Sequence, residues 1–215
     1  MANSIQNLLI QAQTAIDNAL TDDEVKGFLG VFGYDETSLN AGKTLLDEAS
    51  QLNQQQLKEY GDQYSATQEF TAKWETAKSD YTRFTKIARV AVKNDPAAYQ
   101  KLGLSGPRKQ SFSGLSSQIE QFYTNALADP SILAAFGRFG VTQQKLTSGK
   151  QNYDAAKAAS VAQQNEKGEA QQATLARDNA VDALDDWLSD FTAIARIALE
   201  EKPQLLEKLG ILERS

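Results

Sequence analysis

Apolar residues recur at intervals of three and four along most of the chain, which is the spacing of one face of an α-helix. No segment alternates strictly between apolar and polar residues, as a half-buried β-strand would. The pattern therefore predicts an all-α protein. It begins with one helix and a shorter second helix, whose apolar positions are Ile5, Leu8, Leu9, Ala12, Ile16, Ala19 and Leu20, then Val25, Phe28, Leu29 and Phe32.

The chain repeats itself at a fixed offset. Residues 84–92 read FTKIARVAV and residues 191–199 read FTAIARIAL, so the offset is 191 minus 84, or 107 residues. The same offset aligns Pro96 with Pro203. Because agreement at one offset over this length is typical of duplicated units, we predict a tandem duplication of a multi-helix unit. The copies would be 1–107 and 108–215, with a linker at about 104–114 that has turn-forming composition.

We expect the two copies to form four-helix-bundle-like halves with pseudo-two-fold symmetry, either as independent domains or around one shared core. Asp95-Pro96 predicts a short helix capped by the Asp, with Pro in the first turn, and Asp129-Pro130 predicts the start of another short helix. The region from Glu36 to Asn94 allows two interpretations, as does its counterpart 143–201.

The first interpretation is a helical hairpin, and the second is one continuous helix of about 60 residues, roughly 90 Å long. The hairpin is favoured because Gly61 and Gly168 occupy equivalent positions where apolar residues thin out. Its polar tips would lie near these two glycines. A continuous helix of that length would need packing partners that the two preceding helices are too short to supply.

Composition excludes several classes of site. The chain of 215 residues has no Cys and no His, so disulfides, Cys-ligated metals and His-based catalysis are absent. No cofactor or metal motif is present, and we expect neither. Net charge is −6, and residues 1–107 and 108–215 carry 10 basic against 14 acidic and 12 against 14. Nucleic acid and an anionic membrane surface are therefore unexpected partners.

Arg89 and Arg196 are the candidate ligand-binding residues. Each lies within an apolar stretch, at equivalent positions of the two copies. Two such guanidinium groups can grip an anion or carboxylate between the copies. The alternative is structural, because an Arg near a helix C-terminus suits the helix dipole and its stem can cover apolar surface.

Other polar patterns favour ordinary helix surface. Asp182, Asp186 and Asp190, with Asp185 beside them, share a face that suits either a weak cation site or solvent. Gly42-Lys43-Thr44 lacks the earlier Gly of a phosphate loop. The Gln-rich stretches 51–56 and 163–172 suit either solvent or a contact with another protein.

The sequence thus predicts a cytoplasmic, non-enzymatic helical protein that binds another protein or itself. The N-terminal residues do not have the pattern of a secretory signal, and no apolar run reaches membrane-spanning length. One alternative is a small-ligand protein, or an enzyme that relies on Asp, Glu, Lys, Arg and Tyr, with a site between the copies. A membrane-acting helical protein is the least favoured reading.

Overall fold

The structure is a computed structural model that describes residues 2–211, with side chains from Ser4 onward. Within that range the chain forms helices and turns without any strand, which confirms the all-α prediction. The helices are α1 (Ala2–Thr21), α2 (Asp23–Val31), α3 (Glu36–Ala91), α4 (Pro96–Lys101), α5 (Phe112–Ala128), α6 (Pro130–Gly137), α7 (Gln143–Ala198) and α8 (Gln204–Lys208).

The hairpin prediction is wrong, because α3 and α7 are each continuous over 56 residues. At roughly 1.5 Å per residue, each helix is about 84 Å long. Gly61 and Gly168 are not among the glycines with positive φ, so neither makes a left-handed turn. A single Gly inside a helix costs only about 1 kcal/mol relative to Ala, which the strong helix formers around it offset.

The packing partner that a long helix needs is supplied by the other long helix. The described residues divide into two compact units, the first containing residues up to Gly61 and from Gly168 onward, and the second containing Asp62–Lys167. In the first unit, Leu39 and Leu46 of α3 join Leu184 and Phe191 of α7 in one core. In the second unit, α3 and α7 again share a core, which contains Tyr81, Phe84, Leu146 and Tyr153.

These units do not coincide with the predicted copies 1–107 and 108–215, since each core draws residues from both ranges. The elements nevertheless keep the predicted offset. Helix α7 begins and ends 107 residues after α3, and α6 begins 107 residues after α2. The duplication, its linker and its pseudo-two-fold symmetry remain predictions.

The helix starts follow from local sequence. Asp95 accepts a hydrogen bond from the Ala98 amide, and Pro96 occupies the first turn of α4. Asp129 likewise accepts hydrogen bonds from backbone amides of α6, which begins at Pro130. These contacts confirm the predicted cap at Asp95 and the predicted start of a helix at Asp129-Pro130.

Candidate functional site

A groove of about 830 Å³ lies in the second unit, between α3 and the segment that leads into α5. The α3 positions that line it follow the helical spacing of one exposed face, from Trp74 to Ile87. The opposite side is formed by Arg108, Lys109 and Leu115. The groove therefore combines a stretch of long helix with a segment that the sequence had suggested to be only a linker.

The groove is strongly basic, although the chain is acidic overall. Its lining contains one carboxylate, Glu75, and five cationic side chains, namely Lys78, Arg83, Lys86, Arg108 and Lys109.

Only two of these cations are neutralised by neighbouring carboxylates. Glu75 pairs with Lys78, and Asp80 pairs with Arg83 at 2.9 Å. Lys86, Arg108 and Lys109 take part in no ion pair among residues 4–211. This surface therefore carries about three uncompensated positive charges.

Arg108 is held in place by specific contacts. Its Nη1 donates to Thr82 Oγ1 at 2.6 Å, and its guanidinium lies 5.4 Å from the centre of the Tyr81 ring. The following residue is fixed as well, because the Lys109 amide donates to Gln118 Oε1 at 2.9 Å. Burial raises the pKa of the Tyr81 phenol, and the nearby positive charge of Arg108 opposes that rise. The cationic edge of the groove is thus preorganised.

Arg89 lies beside this groove and is exposed at the C-terminal turn of α3. Together with Lys86, Arg108 and Gln118 it lines a smaller cavity of about 100 Å³. The structure therefore places one predicted ligand-binding arginine next to two cations that the sequence argument had not grouped with it. Arg196 is also exposed and belongs to the first unit. The shared two-arginine site remains a prediction.

One end of the groove is lined by Trp74, which belongs to an aromatic cluster of the second unit. The rings of Trp74 and Phe112 meet edge to face at 4.8 Å, and Phe70 contacts both. Trp74 is half-buried, and Phe112 is 37% exposed. Trp74 packs against the core of the second unit and also offers apolar contact area next to the cations of the groove.

The acidic residues of α7 lie in the first unit. Asp182, Asp185, Asp186 and Asp190, which we call the acidic face, are all exposed and form no ion pair within residues 4–211. Burial raises the pKa of Tyr34, and the negative charge of Asp190 raises it further. The acidic face lies 107 positions after Glu75, Lys78, Ser79 and Arg83, so the basic groove and the acidic face occupy equivalent sequence positions.

The remaining sequence candidates are helix surface. Gly42 and Lys43 lie within α3, where Gly42 packs beneath Trp187 and Lys43 pairs with Asp17 of α1 at 2.9 Å, so this segment is not a phosphate loop. The Gln-rich stretches lie inside α3 and α7, where Gln163 donates to Thr67 Oγ1 at 3.2 Å. Their contact role remains a prediction.

No family model, no curated protein and no solved structure matches this chain. No helix within residues 2–211 is both long enough and apolar enough to cross a membrane.

Proposed function

We propose that this chain is a non-enzymatic helical interaction protein, and that the basic groove is its contact surface for an acidic protein. The observation that carries the proposal is the concentration of five cations and a Trp side chain in one groove of a chain whose net charge is −6. Aromatic and Arg side chains are the groups enriched at the energetic centres of protein interfaces.

The spacing of the cations favours a protein surface over a single small anion. Lys78 and Lys86 are separated by eight residues of one helix, or roughly 12 Å along its axis. One carboxylate cannot span that distance, whereas several carboxylates on a helix face can. Each exposed pair contributes only about 0–1 kcal/mol, so we expect weak binding that declines with added salt.

A second candidate function is the binding of a small anion, and the cavity lined by Lys86, Arg89 and Arg108 favours it. Its volume of about 100 Å³ suits a group the size of phosphate rather than a protein segment. An Arg pair can bind such a group bidentately. Inorganic phosphate is therefore the appropriate probe for this alternative.

Fluorescence can separate the two functions, because the chain has two Trp residues and one lines the groove. The variant Trp187→Phe leaves Trp74 as the only Trp reporter. We expect poly-L-glutamate to change the Trp74 emission saturably at low salt. The variant Lys86→Gln/Lys109→Gln should lose this response, whereas Lys93→Gln/Lys167→Gln, which removes the same charge from other exposed positions, should keep it.

A response to phosphate but not to poly-L-glutamate would favour the small-anion function. If neither probe changes the emission, or if both Gln variants respond like their parent, the groove is not the contact surface.

We also propose that the chain contains a tandem duplication, as the sequence predicts. Contacts separated by the same offset support it. Lys208 pairs with Asp22 at 2.7 Å in the first unit, and Lys101 pairs with Asp129 at 2.9 Å in the second. Both residues of the second pair differ from the first by 107 positions. The predicted cytoplasmic location also remains a proposal.

A further inference from the structure

We infer that the occupant of the basic groove is the acidic face of a second copy of this chain. The inference rests on the proposed function and adds the identity of the partner. The chain would associate with itself through two different surfaces, with the basic groove of one molecule against the acidic face of another.

The charges of the two surfaces have opposite signs and matching spacing. Asp182, Asp186 and Asp190 repeat every fourth residue along α7, so they extend over roughly 12 Å of one helix face. The cations of the groove on α3, from Lys78 to Lys86, extend over the same length, and Lys86 is the one among them that lacks a carboxylate partner within residues 4–211. Two helix faces with equal spans and opposite charges can align several ion pairs at once.

Several charged side chains on each surface lack an ion-pair partner within residues 4–211. None of the four carboxylates of the acidic face takes part in an ion pair among residues 4–211, and Lys86, Arg108 and Lys109 are also unpaired there. Other charged residues pair locally, for example Lys150 with Asp154 and Lys157 with Glu120. The unpaired charges of the groove and of the acidic face are therefore available to a second molecule.

The unpaired charged groups on both surfaces are exposed to solvent. Lys86, Arg108, Lys109 and all four Asp residues are exposed, so pairing needs no rearrangement of either core. The exposure also limits the strength of the contact, because surface ion pairs are weak and screened by salt. We expect association that is detectable at low salt and lost at high salt.

Charge reversal followed by mixing tests this inference. Sedimentation equilibrium of the full chain should show association at about 0.01 M salt, where screening acts over about 30 Å, and single chains at about 1 M. Lys86→Glu/Lys109→Glu should weaken association at low salt at least about tenfold, and Asp182→Lys/Asp186→Lys should do the same.

The decisive sample is an equal mixture of these two reversed variants. Neither variant has two surfaces of opposite net charge. The first combines a negative groove with the unaltered acidic face, and the second combines the unaltered basic groove with a face of zero net charge, since Asp185 and Asp190 remain there. Each variant should therefore remain a single chain by itself. In the mixture, the unaltered acidic face of the first variant meets the unaltered basic groove of the second. Association should therefore return in the mixture.

Matched controls carry the same charge changes at other exposed positions. Lys93→Glu/Lys167→Glu and Asp47→Lys/Glu48→Lys should associate like the parent chain. Circular dichroism checks that every variant keeps its helicity.

The inference is overturned if the parent chain remains a single chain at low salt, or if the reversed variants fail to associate when mixed. If the Trp74 emission still responds to poly-L-glutamate in that case, the proposed function survives with a different acidic partner. A lack of both association and that response removes the proposed function as well.

Discussion

Replacing Gly61 and Gly168 by Ala should stabilise the protein. Each Gly lies inside a long helix without a positive φ, and an added Cβ at either position would meet no atom within 4 Å. Ala is favoured over Gly in a helix interior by about 0.5–1 kcal/mol. Because neither added Cβ would meet another atom within 4 Å, the double variant should gain about 1–2 kcal/mol in the free energy of unfolding.

Urea unfolding followed by circular dichroism measures this gain, and heating should show a midpoint higher by about 2–4 °C per kcal/mol. Gly33→Ala is the backbone control, since Gly33 has φ +90° and equally open surroundings. It should destabilise the protein by about 1 kcal/mol or more. If Gly61→Ala and Gly168→Ala behave like this control, the two glycines make turns and the continuous helices are refuted.

Three further changes probe the cores and the caps. Gly149→Ala should lower the free energy of unfolding in urea by about 1–3 kcal/mol, because the added Cβ would lie 2.5 Å from the buried Tyr123 Oη. An unchanged urea midpoint would contradict that packing. Tyr123→Phe should be neutral or stabilise the protein by up to about 1 kcal/mol, because the buried hydroxyl has no hydrogen-bond partner within the described residues. It should also lessen the cost of Gly149→Ala. Additive effects of the two substitutions would refute the clash between the added Cβ and the Tyr123 hydroxyl. Hydrogen bonds from Ser131 and Lys101 lower the pKa of Asp129, so its stabilising contribution is present above about pH 4 and is lost as the pH falls further. Asp129→Asn should therefore lower the urea midpoint at pH 7 and reduce its fall between pH 7 and pH 3; an unchanged pH dependence would contradict this role.

Local features of the fold could be predicted from the sequence, because the interactions that cause them span a few residues. The Asp-Pro caps at Asp95 and Asp129 are examples, since each Asp bonds to amides two or three residues later. The continuity of α3 could not be decided in this way. It depends on α7, whose Leu184 and Phe191 pack with Leu39 about 150 residues away in sequence.

The groove was missed for a related reason. Arg108 and Lys109 lie in a Gly-, Pro- and Ser-rich segment, and that composition indicates a linker. Their function as one side of a groove depends on the contact of Arg108 with Thr82, 26 residues earlier in the chain. The adjacent basic residues Arg108 and Lys109 within the predicted linker are the sequence feature that could have indicated the groove. Arg89 was found from the repeat, but its neighbours Lys86 and Arg108 were not.

Cross-linking between isotopically distinct chains tests the central claim most directly. Equal amounts of ¹⁴N- and ¹⁵N-labelled protein are mixed at low salt and treated with a carbodiimide, which joins Lys amines to carboxylates only where they touch. The account predicts mixed-isotope peptides that link Lys86 or Lys109 to Asp182, Asp185, Asp186 or Asp190, and predicts their loss at high salt. Cross-links confined to single chains, or mixed-isotope cross-links that avoid the groove, would contradict it.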